Sequence, residues 1–597
     1  MLDDLRKAII AATQQFLTRG FCLITICLAL AACLSANVVA QTAVQETDKP
    51  NILWLVVEDM SPILPDYGDN TVQTPNISRL VKEGVKFTNV YSPSGVCAPS
   101  RAALAMGMYP SSFGANHMRT SSNTAETGLP KYEAVPPANA KMLSEYLRLH
   151  GYYTTNNYKT DYQFNAPKTA WHENGVYAHW RNRPSEQPFF SVFNFTTTHE
   201  SGLFEPYGVR EIEKRHYFAD DVARIAKLPQ HHSVKSTEST TPIHIAKDLE
   251  FDIPPYLPDT PLVRRDLWKM YNNLVETDRQ IGAILQQLID DDLLDKTIIF
   301  FYADHGGPLP RQKRLIYDSG LKVPLVVRYP QAKYAGSTDD KLVSFVDFPP
   351  TTLALAGAKV PEHMQGKSFV DRHYSRQYIH AAADRFDGFT DVIRAVKDKR
   401  FKYIRYYRPQ QGYYLPVAYR EKIPTMQELL RLKDKLTPYQ AQWFREQKPN
   451  EELFDTLHDP HELHNVIDSP QYQTRLKDLR QEMDTWLLEI GDNPLLAERE
   501  LIKQLWAGAA EQPITEKPTM KVQNGFISFS SATKGASLAY QVIRNHHQPA
   551  SWSIYQQPLA LADLAGAKLK VVAHRIGYQE SATLTFVTHQ ALVNGSF

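Results

Sequence analysis

Ser94-Gly95-Val96-Cys97-Ala98-Pro99-Ser100-Arg101, running on into Ala102-Ala103-Leu104 and Met106-Gly107, decides how the rest of this 597-residue chain is read. The chain has four cysteines. Cys22, Cys27 and Cys33 fall in an apolar N-terminal stretch with the marks of a cleaved export signal, which leaves Cys97 as the single thiol expected in the mature protein. One thiol can form neither an internal disulfide nor a thiolate metal cluster. A lone cysteine is most often a small buried hydrophobe. Here the setting differs, because Gly95 and Pro99 punctuate a loop and Arg101 opens a helix-like run to Met108.

A chain of this length exceeds one core and predicts two or three domains. Hydrophobic content of 43% and charged content of 22% are ordinary for a folded soluble protein. A formal net charge of +1 argues against a surface built to hold polyanions over its whole extent, and no nucleic-acid partner is expected. Local basic sites stay open. Residues 1–40 read as an export signal: Arg6, Lys7 and Arg19 precede an apolar run from Gly20 to Leu34 that is too short to favour a spanning helix. Val38-Val39-Ala40 suits ordinary cleavage before Gln41, whereas Leu30-Ala31-Ala32-Cys33 fits a bacterial lipoprotein box that would lipidate Cys33. An uncleaved anchor is the third reading. The expected location is exported and periplasmic, with an outer-membrane lipoprotein or a secreted protein as alternatives and membrane attachment only through Cys33.

Asn51–Val57 is an unbroken apolar run, predicted as a strand buried on both faces and ended by Glu58-Asp59. Thr297–Ala303 repeats the pattern and ends in Asp304-His305-Gly306-Gly307. Carboxyl ends of central parallel strands are where open α/β sheets place ligands. Pro188–Phe195 is a third such strand, followed by Thr196-Thr197-Thr198-His199. A histidine there is a natural general acid or base, or a satisfied structural residue. Leu267, Met270, Leu274, Ile281, Leu285 and Leu288 recur at helical spacing and predict a packing helix from Asp266 to Leu294. Ile393–Val396 and Phe401–Tyr406 alternate as paired antiparallel strands. From Lys517 the short runs Gly525–Phe529, Ser537–Val542, Trp552–Tyr555 and Leu569–Arg575 predict a small β-sandwich.

Cys97-Ala98-Pro99-Ser100-Arg101 fits the Cys-x-Pro-x-Arg signature of the type I sulfatases, in the alkaline phosphatase superfamily. Further stretches resemble the same family: Thr74-Pro75-Asn76-Ile77, Gly151-Tyr152-Tyr153-Thr154, Lys313 through Pro324, Asp347 through Thr351, and Glu452-Leu453-Phe454-Asp455 with Asp459-Pro460-His461-Glu462 and Asn465. The resemblance implies an α/β fold with a central, mostly parallel sheet flanked by helices over 50–390. A smaller C-terminal α+β subdomain with an antiparallel sheet would follow over 391–495, and an appended β-sandwich over 515–590. Ala536–Tyr540 with Trp552, Tyr555, Pro558-Leu559 and Gly577-Tyr578 resembles the immunoglobulin-like C-terminal module of bacterial hexosaminidases.

The resemblance also implies chemistry. A maturation enzyme would oxidise Cys97 to formylglycine, whose hydrate carries two hydroxyls. One attacks sulfur and displaces the alcohol; deprotonation of the other expels sulfate and restores the aldehyde. Glu58, Asp59, Asp304, His305 and residue 97 itself would hold one metal ion, calcium ahead of magnesium or manganese. Arg101 would orient the formylglycine, Lys159 and Lys313 would hold sulfate oxygens, and His199 would protonate the leaving oxygen. His117, Arg119 and Asp161 would meet the rest of the substrate, a sulfated polysaccharide or its oligosaccharides. The chain departs from the family pattern at Glu58, where Asp is usual, at Asp161, where His is expected, and at Asp318, Ser319 and Lys322. Segment order is similar to the heparan N-sulfatase branch, which makes a sulfamidase the near alternative. Phosphonate monoester or phosphodiester hydrolysis, and glycan binding without turnover, are the other readings.

Overall fold

The structure, a computed structural model, describes residues 49–122, 124–205, 207, 241–544 and 551–588. The expected export signal with Cys22, Cys27 and Cys33 lies outside the described residues, as do residues 206 and 208–240. No helix among the described residues is long and apolar enough to cross a membrane.

The apolar runs form the centre of an eight-stranded sheet. Its strands are β1 (Asn51–Val57), β2 (Val85–Tyr91), β3 (Tyr153–Asn157), β4 (Glu173–Asn174), β5 (Phe189–Phe195), β6 (Thr297–Ala303), β7 (Lys322–Arg328) and β8 (Ser337–Ser344), in the order β4-β3-β5-β1-β6-β7-β2-β8. β5, β1 and β6 pair in parallel, while β7 runs against both β6 and β2. Every residue of β1, β5 and β6 is buried, as expected for strands covered on both faces. Their carboxyl ends therefore open together on one edge of the sheet.

The helix at the deciding stretch is α2 (Cys97–Met106), which follows α1 (Pro75–Glu83). It starts four residues before Arg101, so the expectation of a loop through Pro99 is corrected. Proline in a first helical turn forfeits only an N–H that has no intrahelical acceptor. Val96 is extended (φ −148°, ψ 150°) and all ten helical residues are buried. Gly107 closes α2 at φ +67°, where a Cβ would run into the Met364 side chain.

The long helix α3 spans Pro261–Asp290 rather than Asp266–Leu294. Thr260 caps it, its side chain accepting from the Val263 N–H at 3.4 Å, and Pro261 takes the first position. Mid-helix, buried Asp278 accepts from the backbone N–H groups of Asn76 (3.3 Å) and Ile77 (2.8 Å), placing a carboxylate on the positive end of α1. An antiparallel sheet β12-β11-β10-β9 follows, made of β9 (Ile379–Ala383), β10 (Ile393–Lys397), β11 (Phe401–Tyr406) and β12 (Glu451–Asp455). It packs through Val396, Phe401 and Tyr403 on Leu476, Leu479, Met483 and Trp486 of α4 (Gln473–Ile490).

The tail forms a three-stranded and a four-stranded sheet around Ile527, Phe529, Leu561, Leu569 and Val571. Within it, the run Trp552–Tyr555 pairs as a strand only at Ser553–Ile554. Polar ties join the tail to the α/β body: Ser537 donates to Glu145 (2.8 Å), Arg575 to the Pro136 carbonyl (2.6 Å) and Arg148 to the Trp552 carbonyl (2.7 Å).

Beside β3, the His172 ring stacks on Tyr153 (4.6 Å), and its Nδ1 accepts from the Thr154 N–H at 3.0 Å. Burial first, and then the Arg148 charge, push this imidazole down to about 3. Between pH 3 and its ordinary value of 6.5 the unfolded chain binds a proton that the folded one refuses, so the stability this site contributes is lost as pH falls through that window. A His172→Leu variant is expected to lose less of its own unfolding free energy than the wild type between pH 6.5 and 4, measured by urea titration. Parallel pH dependences would contradict it.

Candidate active site

Strand geometry aims the first groups. Beyond β1, the Glu58 N–H still bonds the Phe195 carbonyl (3.0 Å), and beyond β6 the Asp304 N–H bonds the Val57 carbonyl (2.9 Å). The Asp59 N–H then turns to the Asp304 carboxylate at 3.1 Å. Asp59 takes φ +50° to do so. A non-glycine residue in that region costs about 1–3 kcal/mol and persists only where its surroundings hold it. They do: the Asp59 carboxylate meets Lys313 Nζ (2.6 Å), the Glu200 N–H (2.7 Å) and His305 Nε2 (3.1 Å).

Cys97 opens α2 directly above this cluster. Its Sγ is 3.3 Å from His305 Nε2 and 3.9 Å from Asp59 Oδ1. Ser100 donates to the Asp304 carbonyl. Arg101 binds Asp304 through Nε (3.1 Å) and Asn194 through Nη1 (2.6 Å), and Asn194 in turn donates to Asn156 Oδ1 (3.1 Å). Burial alone would push the Cys97 thiol up. The ammonium groups of Lys159 and Lys313 and the His305 ring outweigh it and bring it down to about 6. Burial likewise disfavours the His305 charge, yet Asp304, Cys97 and Asp59 raise it to about 10. Lys159 is half-buried; desolvation works against its charge, and Cys97, Glu58 and Asp161 hold it charged.

The structure sorts the remaining sequence candidates. Glu58 faces Lys159 (3.0 Å) and Arg101 (3.5 Å). Asp161 pairs with Lys159 at 3.4 Å. Nδ1 of His199 faces Ser201, 3.3 Å from its backbone nitrogen and 2.8 Å from its Oγ. Arg119 binds Asp387 (2.8 Å) at the mouth of the site. His117 is not brought to Cys97. Its Nδ1 accepts from the Arg385 N–H (3.3 Å) and faces Glu498 (3.8 Å), and it lines a separate polar cavity of about 330 Å³ with Asp384 and Arg394. Its position two residues from Arg119 gave no hint of this, because the partner loop lies far along the chain.

Two residues that sequence reading passes over complete the cluster. Glu200 and Arg314 form a buried bidentate pair, 2.8 Å at each oxygen, and Glu200 also meets Lys313 Nζ at 3.1 Å. Each stands next to a residue singled out from the sequence, which was the available signal. Arg314 takes φ +71° to turn back toward Glu200.

Donor atoms from Asp59, Cys97 and His305 lie within 4.8 Å of one another, as do those from Asp59, His199 and Glu200. Asp304 Oδ1 is 3.8 Å from His305 Nε2. Glu58 Oε1 is buried and meets the Lys159 ammonium at 3.0 Å. Carboxylate oxygens with one imidazole form a donor set that fits a divalent cation, and ligation at His305 would release its proton. The same pocket presents ammonium groups to an anion.

One edge of the α/β sheet thus gathers acidic groups, cations and a helix-start thiol, a set able to hold a cation and an anion side by side. The chain matches the sulfatase family model over residues 50–192 and 176–358, and the C-terminal model of N-sulphoglucosamine sulphohydrolase over 311–429. An ulvan-active sulfatase of Formosa agariphila is 58% identical over 92% of this chain and 93% of its own. Human N-sulphoglucosamine sulphohydrolase is 24% identical over 74% of this chain and 90% of its own. The solved yidJ structure of Bacteroides fragilis shares the fold, with TM-score 0.52 and 19% identity over 77% of this chain and 98% of that one. The chain belongs to the sulfatase family, and it is an enzyme of that class.

Proposed function

We propose that this sulfatase removes sulfate esters from ulvan or its oligosaccharides, using formylglycine made from Cys97. The observation that carries the chemistry is the setting of Cys97, at the first turn of α2 and 3.3 Å from His305 Nε2. The 58% identity to an ulvan-active sulfatase supports the substrate class. In this reading a maturation enzyme converts Cys97, and the protein works after export, in the periplasm, at the outer membrane or outside the cell.

Each group has a task. Lys159 and Lys313 bind and orient the sulfate oxygens, as fixed charges in a shielded site. His199, as the imidazolium with Nδ1–H against Ser201 Oγ (2.8 Å), delivers a proton from Nε2 to the leaving sugar oxygen and is left neutral. Arg101, itself anchored by Asn194, holds Asp304 in place. Glu58, Asp59, Asp304 and His305, with residue 97, would hold a hard divalent cation, calcium foremost, which when bound supplies positive charge against the charge that develops on the sulfate. Cleavage of an N–S bond is the second reading, favoured by the match over 311–429.

The test is sulfate release from ulvan oligosaccharides, followed by ion chromatography, beside release from an N-sulfated glucosamine. Turnover is expected on the first. Chelation with EDTA is expected to remove it and added calcium to restore it, with magnesium or manganese less effective. Full turnover after exhaustive chelation, or release confined to the N-sulfated sugar, would contradict the proposal.

A further inference from the structure

The mouth of the site carries a feature that the chemistry at residue 97 does not use. Tyr419 stands beside His199, with ring centroids 6.4 Å apart, and edge-on to Phe204 at 5.0 Å. Two cations overhang it. The Arg119 guanidinium lies 5.7 Å from the Tyr419 ring centre and the Lys422 ammonium 5.4 Å, with Lys422 also 5.9 Å from the Phe204 ring. Both rings are half-buried and Lys422 is exposed. Asp387 answers the charge of Arg119, whereas Lys422 lies over the aromatic faces and open to solvent.

The shelf is rigidly backed. Arg420, next in the chain, is buried, lies 4.6 Å over Trp443 and 5.4 Å over Tyr414, and donates to the Leu415 carbonyl. A few residues on, the Thr425 N–H and hydroxyl both bind Asp266 of α3, at 2.7 and 2.8 Å. A half-exposed aromatic pair held this way gives a sugar ring an apolar face to lie on at small entropic cost. Cations at the rim of such a platform, already resting against its π-faces, favour a ligand that brings an anion to them.

We propose that Tyr419 and Phe204 form the platform for the sugar that carries the scissile sulfate, and that Lys422, with Arg119, selects substrates bearing a second anionic group on that sugar or its immediate neighbour. The assignment rests on the sulfated-polysaccharide reading given above. The shared chemistry is a carboxylate or a second sulfate, and the two are separable.

Three sulfated oligosaccharides of one backbone test it: one with a neighbouring uronic acid, one with that carboxyl reduced to an alcohol, and one with a sulfate in place of the carboxylate. The wild type is expected to prefer one or both charged forms over the reduced form by about ten- to a hundred-fold in kcat/KM, the worth of a charge-assisted hydrogen bond. Which charged form leads names the source. Lys422→Gln is expected to bring the ratio toward parity through a raised KM with kcat little changed, and Lys422→Arg to keep it. Equal wild-type turnover of charged and reduced forms, or a Lys422→Gln loss that is the same on all three, overturns the shelf alone. Wild-type hydrolysis of 4-nitrophenyl sulfate with no release from any of the three overturns the polysaccharide reading, and the shelf with it.

Discussion

Cys97→Ala is expected to lower kcat for sulfate release about 10⁴-fold or more while leaving the protein folded, since removing a covalent nucleophile strips the step that everything else in the site supports. The side chain is 2% exposed, so a smaller one leaves at most a small buried gap. Its neighbours are unaffected by the loss: Asp59 keeps Lys313, the Glu200 N–H and His305, and Arg101 keeps Asp304 and Asn194. Cys97→Ser separates nucleophile from modification. A serine keeps one hydroxyl on its Cβ, whereas the hydrated aldehyde has two, so the serine enzyme can accept sulfate and has no second hydroxyl to expel it. Steady-state turnover should therefore fail in both variants, with unfolding midpoints close to wild type. Full turnover by either would remove Cys97 from the centre of the mechanism.

Lys313→Met should be the next most damaging change, and on two readouts. The lysine is buried, with Nζ 2.6 Å from Asp59 and 3.1 Å from Glu200. Burial works against its charge, and Asp59, Cys97 and Glu200 hold it charged well above the ordinary lysine value. Methionine keeps the apolar stem and removes the ammonium. A sulfate entering the site then loses one of its fixed counter-charges, which is expected to lower kcat/KM about 10²–10³-fold. Asp59 and Glu200 meanwhile lose a shared partner in a dry site, which is expected to cost about 3 kcal/mol of stability. Kinetics well below the unfolding midpoint and urea titration separate the two effects. Near-wild-type kcat/KM would show that Lys313 serves the fold and not the sulfate.

The difference between Glu200 and Asp59 shows what the sequence made legible. Asp59 ends an all-apolar run, and so does Asp304; runs of that kind have few homes other than a doubly covered sheet, so their ends had to converge. Glu200 and Arg314 lie 114 residues apart in loops without periodicity, and only the folded backbone brings them together. The start of α2 is hard to read from the sequence for a different reason. Pro99 breaks helices in their interior, but in a first turn it costs nothing, and propensity without knowledge of position cannot tell the two apart. His117 shows the opposite failure. Its neighbour Arg119 reaches the mouth of the site, yet the strand-ending loop at Asp384–Asp387 draws His117 to Arg385 and Glu498 instead. Glu58 illustrates why residue type alone leaves a role open: a carboxylate at a strand end can face a cation from a side chain as well as one from solution, and here it meets Lys159 and Arg101.

The measurement closest to the central claim is mass spectrometry of the peptide spanning Cys97, from protein produced in a host with a working maturation enzyme. The account predicts a mass lowered by the difference between a CH2SH and a CHO group, in an enzyme that turns over aryl sulfate. An unmodified thiol in protein that still turns over would contradict it.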